Sequence, residues 1–119
     1  VLTMDELHLR QESPLAAGYW CEVIAYTPHD GRAFWLGSHP ATTPRLALRW
    51  LHERGYHVAD QLDPHAALPV HHWVTDQREH ERALSHLAQG AMYAHTIFDD
   101  TTRYVLTARP TGTTLRQAP

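Results

Sequence analysis

Apolar and polar positions along the chain fall into two kinds of pattern, and the switch between them predicts the elements. Residues 19–27 (YWCEVIAYT) are aromatic and β-branched with a period of two, the signature of a strand. On it Trp20, Glu22, Ile24 and Tyr26 share one face, and Cys21, Val23 and Ala25 the other. Pro28-His29-Asp30-Gly31 reads as a turn, and Arg32–Leu36 as the returning strand of a hairpin. After a loop over 37–42, Thr43-Pro44 supplies a hydroxyl cap followed by a proline, which opens a helix. The spacing carries that helix to Arg54, with Gly55 as its stop. Ala47, Leu48, Trp50 and Leu51 form the inward stripe, and Arg45, Arg49 and His52 point outward.

Residues 58–68, with Asp60, Asp63, Pro64 and His65, read as a loop, and Val70–Val74 (VHHWV) as a short strand. Asp76-Gln77-Arg78-Glu79 has the form of a capping box. It starts a second helix over 77–89 that ends at Gly90 and turns His80, Ala83, Leu84, Leu87 and Ala88 inward. Met92–Phe98 and Arg103–Ala108 flank a polar turn and make a second hairpin. The order ββα–β–αββ predicts a single α+β domain over residues 18–109, with two helices on one face of a mainly antiparallel sheet. Residues 1–17 form an arm with a short helix around Met4–Arg10, and residues 110–119 a frayed tail.

With 119 residues, 43% hydrophobic and 19% charged, the chain can build one core without disulfide or metal. The single cysteine excludes an internal disulfide, and the absence of a long apolar run or signal-peptide pattern makes a cytoplasmic protein without membrane contact the expectation. All ten basic residues are arginine, which fits either the codon bias of a GC-rich bacterial genome or selection for bidentate, stacking-capable cations. A net charge of −3 argues against coating nucleic acid by bulk electrostatics, though not against a local arginine patch. Eleven histidines are the compositional outlier.

The candidate chemistry follows from those groups. His71 and His72, adjacent on a strand, would face opposite ways; His71, His80 and His95 make the one conceivable metal cluster, although none shows a short ligand spacing. As catalytic groups, His72, His95 and Cys21 are the candidates; a mid-strand cysteine among apolar neighbours is more simply a buried hydrophobe. No phosphate-binding glycine loop, nucleophile elbow or other cofactor motif occurs. Arg32 and Trp35 precede a helix bearing Arg45 and Arg49, a set that could hold a phosphate backbone and stack on bases. The competing reading packs Trp20, Trp35 and Trp50 together as core beneath a solvated arginine face.

Residues 18–55, an aromatic strand, Asp-Gly turn, strand and tryptophan-bearing helix, are similar in outline to the small DNA-binding modules of site-specific recombinases. The sequence points to a small non-catalytic binding domain with an accessory or regulatory role, and contact with nucleic acid through its Arg/aromatic face is one version of that reading. The alternatives are a small histidine-based enzyme or ligand-binding protein, and an inhibitor or immunity-type partner of another protein. Two free sheet edges add homodimerisation by edge pairing or sheet packing.

Overall fold

The computed structural model describes residues 18–112; the predicted N-terminal arm and residues 113–119 of the tail lie outside the described residues. The elements run β1 (Gly18–Thr27), β2 (Arg32–Ala41), α1 (Pro44–Ala59), α2 (Pro64–Thr75), α3 (Gln77–Ala88), β3 (Tyr93–Asp99) and β4 (Thr102–Thr111). Both predicted hairpins form, and a central β1–β4 pairing joins them into one antiparallel sheet of order β2-β1-β4-β3. The domain is α+β, as predicted, with its helices stacked on one sheet face.

Strand alternation sets the two faces. Cys21 and Val23 of β1, Leu106 and Ala108 of β4, and Tyr93 and Ile97 of β3 point at the helices and are buried among Leu48, Leu51, Val70, Trp73 and Leu87. Complete burial of one such Leu stabilises the fold by about 2–3 kcal/mol, and Leu51, Leu87 and Leu106 are fully buried. The residues between them, including Glu22, Ile24, Tyr26, Val105 and Phe98, point away from the helices.

The last strand runs on through Pro110 to Thr111, paired with Tyr19 and Gly18, where a frayed tail was expected. Three other segments differ from the sequence reading. First, β2 continues past Leu36 to Ala41, through a bulge where Val23 and Ile24 face Gly37 and Trp35 and Leu36 is the extra residue. Second, α1 passes through Gly55 to Ala59. Gly55 is a close-approach residue instead of a stop: a Cβ there would sit 2.8 Å from Cζ3 of Trp73, so only glycine lets α2 lie this near.

Third, residues 64–75 are a helix, so the expected loop and VHHWV strand are replaced by α2. Asp63 accepts from the Ala66 N–H at 3.0 Å and Pro64 occupies the first turn, repeating the Thr43-Pro44 device of α1. Ala67, Val70, Trp73 and Val74 then fall on one buried side at helical spacing. Asp76 ends α2 and starts α3: its N–H reaches the Trp73 carbonyl, and its carboxylate accepts from the Glu79 N–H. That one extended residue separates the two helices. As predicted, α3 ends at Gly90, whose positive φ of 89° closes the last turn, with the Ala91 N–H returning to His86.

Candidate functional site

Two places concentrate chemistry: a histidine cluster inside the helix–sheet junction, and the sheet face that the helices leave open.

The cluster is built around Trp73 of α2. His95 of β3 stacks on its indole at 4.0 Å and 5°, and His52 of α1 meets it edge-on at 4.8 Å. The His52 and His80 rings lie 4.4 Å apart. His80 spans the α2–α3 corner to the Val74 carbonyl at 2.8 Å. Because a carbonyl only accepts, the His80 proton sits on Nε2. The Trp73 Nε1–H donates to the Tyr93 hydroxyl at 3.0 Å, which donates to Glu79 at 2.7 Å. A two-pronged pair with Arg82, at 2.9 and 2.8 Å, holds Glu79 in turn.

The electrostatics suit a neutral packing unit. Burial, reinforced by His80 and His95, pushes the His52 imidazole down to about 4, and its buried Nε2 has no hydrogen-bond partner among the described residues. Burial also lowers His95, against a smaller opposing pull from Glu79. Hydrogen bonds from Arg82 and then Tyr93 hold Glu79 down at about 2, while burial raises Tyr93. Glu79 faces this network instead of closing the predicted capping box.

The sequence-predicted residues divide accordingly. His80 and His95 do join one cluster, but the third histidine is His52, which the helical spacing placed outward. His71 and His72 lie on a helix, not back to back on a strand, and His71 packs by Tyr56 at 5.9 Å. Among the described residues no group of three or more metal-ligating side chains converges, so His71, His80 and His95 do not form a metal cluster. His72 is exposed, and Trp73 is the α2 residue stacked on His95. Cys21 is fully buried with its thiol pushed up to about 12, so it is a small core hydrophobe and not a thiolate.

The Arg/aromatic set is split between the layers. Arg45 and Arg49 are exposed on α1 on the helical side, where Arg49 borders a groove of about 400 Å³ with Leu46, Trp50 and Glu53. Trp35 faces the open side, opposite Ile24, and is 41% exposed. The three tryptophans Trp20, Trp35 and Trp50 do not pack as one core: Trp50 stacks on His39 and the indole in the main core is Trp73.

The open face gathers what remains. Exposure rises along β1 from buried Trp20 through half-buried Ile24 to Tyr26 at 39%. At the turn end a shallow basin of about 420 Å³ is lined by Tyr26, Pro28, Arg32, Phe98, Arg103 and Val105, with Gly31 and Thr96 completing it. Phe98 is 65% exposed, with the Arg103 guanidinium 5.7 Å over its ring. Arg32 lies 3.8 Å from Asp30, whose carboxylate also accepts from the Thr27 hydroxyl and the Arg32 N–H. Sequence reasoning found Arg32 and Trp35 but missed Tyr26, Phe98 and Arg103. Alternation alone aligns those three, since Tyr26 pairs with Arg103 and Arg103 with Phe98. The missing signal was which face the helices would leave uncovered.

No protein-family model matches the chain, and no curated protein or solved structure matches it either. The outline likeness of residues 18–55 to recombinase modules thus rests on element order alone. Among the described residues no helix is long and apolar enough to cross a membrane.

Proposed function

We propose that this is a non-catalytic binding domain whose open sheet face takes an unpaired nucleic-acid strand. The observation that carries the reading is the basin at the turn end. There, two exposed rings, Tyr26 and Phe98, and two guanidinium groups, Arg32 and Arg103, border one cavity. Aromatic rings on a sheet stack with any base, and flanking arginines meet the phosphates; a flat basin excludes a duplex from comparable stacking. Trp35, on the same face, extends the platform toward β2. Arg45 and Arg49 lie in the other layer and take no part.

With a net charge of −3, the chain's cationic contact with the strand is confined to the two arginines of the basin. Two phosphate contacts imply a gentle salt dependence, with a slope of log affinity against log salt of about −1.4 for a single strand. A second reading, a protein interface, is favoured by the half-buried aliphatic residues Ile24 and Val105 between the rings. Fluorescence anisotropy with labelled single-stranded DNA and RNA decides between them. The expected result is saturable binding that weakens with salt, falls at least tenfold in Phe98→Ala and Arg103→Ala, and is unchanged in Arg45→Ala with Arg49→Ala. Absence of binding at low salt would sink the nucleic-acid reading and leave the protein interface.

A further inference from the structure

The two edges of the sheet are unequal. On β2 the outer edge is blunted twice, by the bulge at Leu36 and by Pro40, which has no N–H to offer a pairing strand. On β3 the sequence Tyr93-Ala94-His95-Thr96-Ile97-Phe98 carries no proline, no glycine and no carboxylate before Asp99. Its register with β4 is unbroken from Tyr93 to Asp99. Among the described residues no strand pairs with its other side, so every second residue there directs its N–H and C=O outward. The two most exposed large apolar side chains among the described residues, Met92 at 57% and Phe98 at 65%, mark the two ends of this strand.

We infer that β3 is a pairing edge, and that its occupant is the β3 edge of a second copy of the chain. An antiparallel strand pair between identical edges closes on a two-fold axis, so one edge supplies both halves of the contact. The register using the full strand puts Thr96 opposite the second copy's Thr96, and each Phe98 opposite the other copy's Ala94. That matches a β-branched pair at the axis with a large ring over a small, exposed residue on either side of it. His95 then faces Ile97 on the helical side. The product is a continuous eight-stranded antiparallel sheet whose two basins lie on one face, flanking the axis. A seven-residue edge buries modest area, so the association is reversible and concentration-dependent. Phe98 belongs both to this edge and to the rim of the basin, so the pairing is tested at positions of β3 other than Phe98.

Two measurements on the whole chain test it. Light scattering or sedimentation across a concentration series is expected to show the mass rising from 13.6 kDa toward twice that value. Disulfide trapping then locates the contact, because the one native thiol, Cys21, is buried and stays out of the reaction. Thr96→Cys, at the axis, is expected to give a covalent dimer under mild oxidation, whereas Ala94→Cys, about 13–14 Å from its own copy across the axis, is expected not to, which checks the register. Ser38→Cys on the blunted β2 edge is expected to remain monomeric. In the unmodified chain, hydrogen exchange of alternate β3 amides should slow as concentration rises. A mass that stays at one chain up to several hundred micromolar overturns the inference, as does trapping no better at Thr96 than at Ala94 or Ser38. Loss of oligonucleotide binding with the dimer intact would instead overturn only the reading of the face.

Discussion

Lowering the pH from 7.5 to 4.7 should reduce the fold's stability, and His52 should be a main contributor to the loss. His52 is held neutral: its pKa is about 4 in the folded chain against 6.5 for the free side chain, because it is buried beside His80 and His95. Between those values the unfolded chain binds a proton that the folded chain refuses. Stability is therefore complete above pH 6.5 and falls as pH drops toward 4, by up to about 3 kcal/mol for a gap of this size. His95, also lowered by burial, acts in the same direction. Glu79 is separable: its carboxylate is lowered to about 2 from 4.5, so its contribution is present above 4.5 and lost only as pH falls further. Against a total of about 5–15 kcal/mol for a domain this size, the His52 share is substantial. Urea unfolding followed by tryptophan fluorescence at pH 7.5, 6.5, 5.5 and 4.7 measures it. His52→Leu should flatten the curve, because the variant has no proton to refuse at this position. Unfolding free energies that do not change between pH 7 and 5, or a full pH dependence retained in His52→Leu, would refute the reasoning.

Other substitutions probe the junction element by element. Gly55→Ala should destabilise by about 1–3 kcal/mol despite alanine's better helix propensity, since the new methyl would meet Trp73 at 2.8 Å; a thermal melt showing stabilisation would contradict the close approach. Tyr93→Phe, which breaks the chain from Trp73 to Glu79, should cost about 1–2 kcal/mol in urea unfolding and raise the Glu79 titration seen by NMR. Asp63→Ala should cost about 1 kcal/mol by removing the α2 cap, an effect that a loop at this position would not show.

What could be read in advance was whatever is decided locally. The alternation in residues 19–27 and the Asp30-Gly31 turn fix the first hairpin, and Thr43-Pro44 and Gly90 mark helix ends by their backbone chemistry alone. The α2 helix was hidden because Val70 and Val74 favour strands and Pro69 interrupts the pattern, although Asp63-Pro64 repeats the Thr43-Pro44 signal. Gly55 was misread because a helix stop and a close approach both require glycine, and only Trp73 arriving from α2 separates the two. His52 is in the same position. An outward residue on an isolated α1 becomes half-buried once α2 and α3 pack beside it. The proposed binding face was legible as a row of residues but not as a surface, because tertiary packing decides which side of β1 the helices cover.

The central claim is that the face left open by the helices is the one that binds. It is tested most directly by assigning backbone amide resonances and adding a short unlabelled single-stranded oligonucleotide. Shifts confined to β1, β3, β4 and the two turns around Tyr26, Arg32, Phe98 and Arg103 are the expected result. Shifts centred on Arg45 and Arg49 of α1, or none at saturating oligonucleotide, would contradict it.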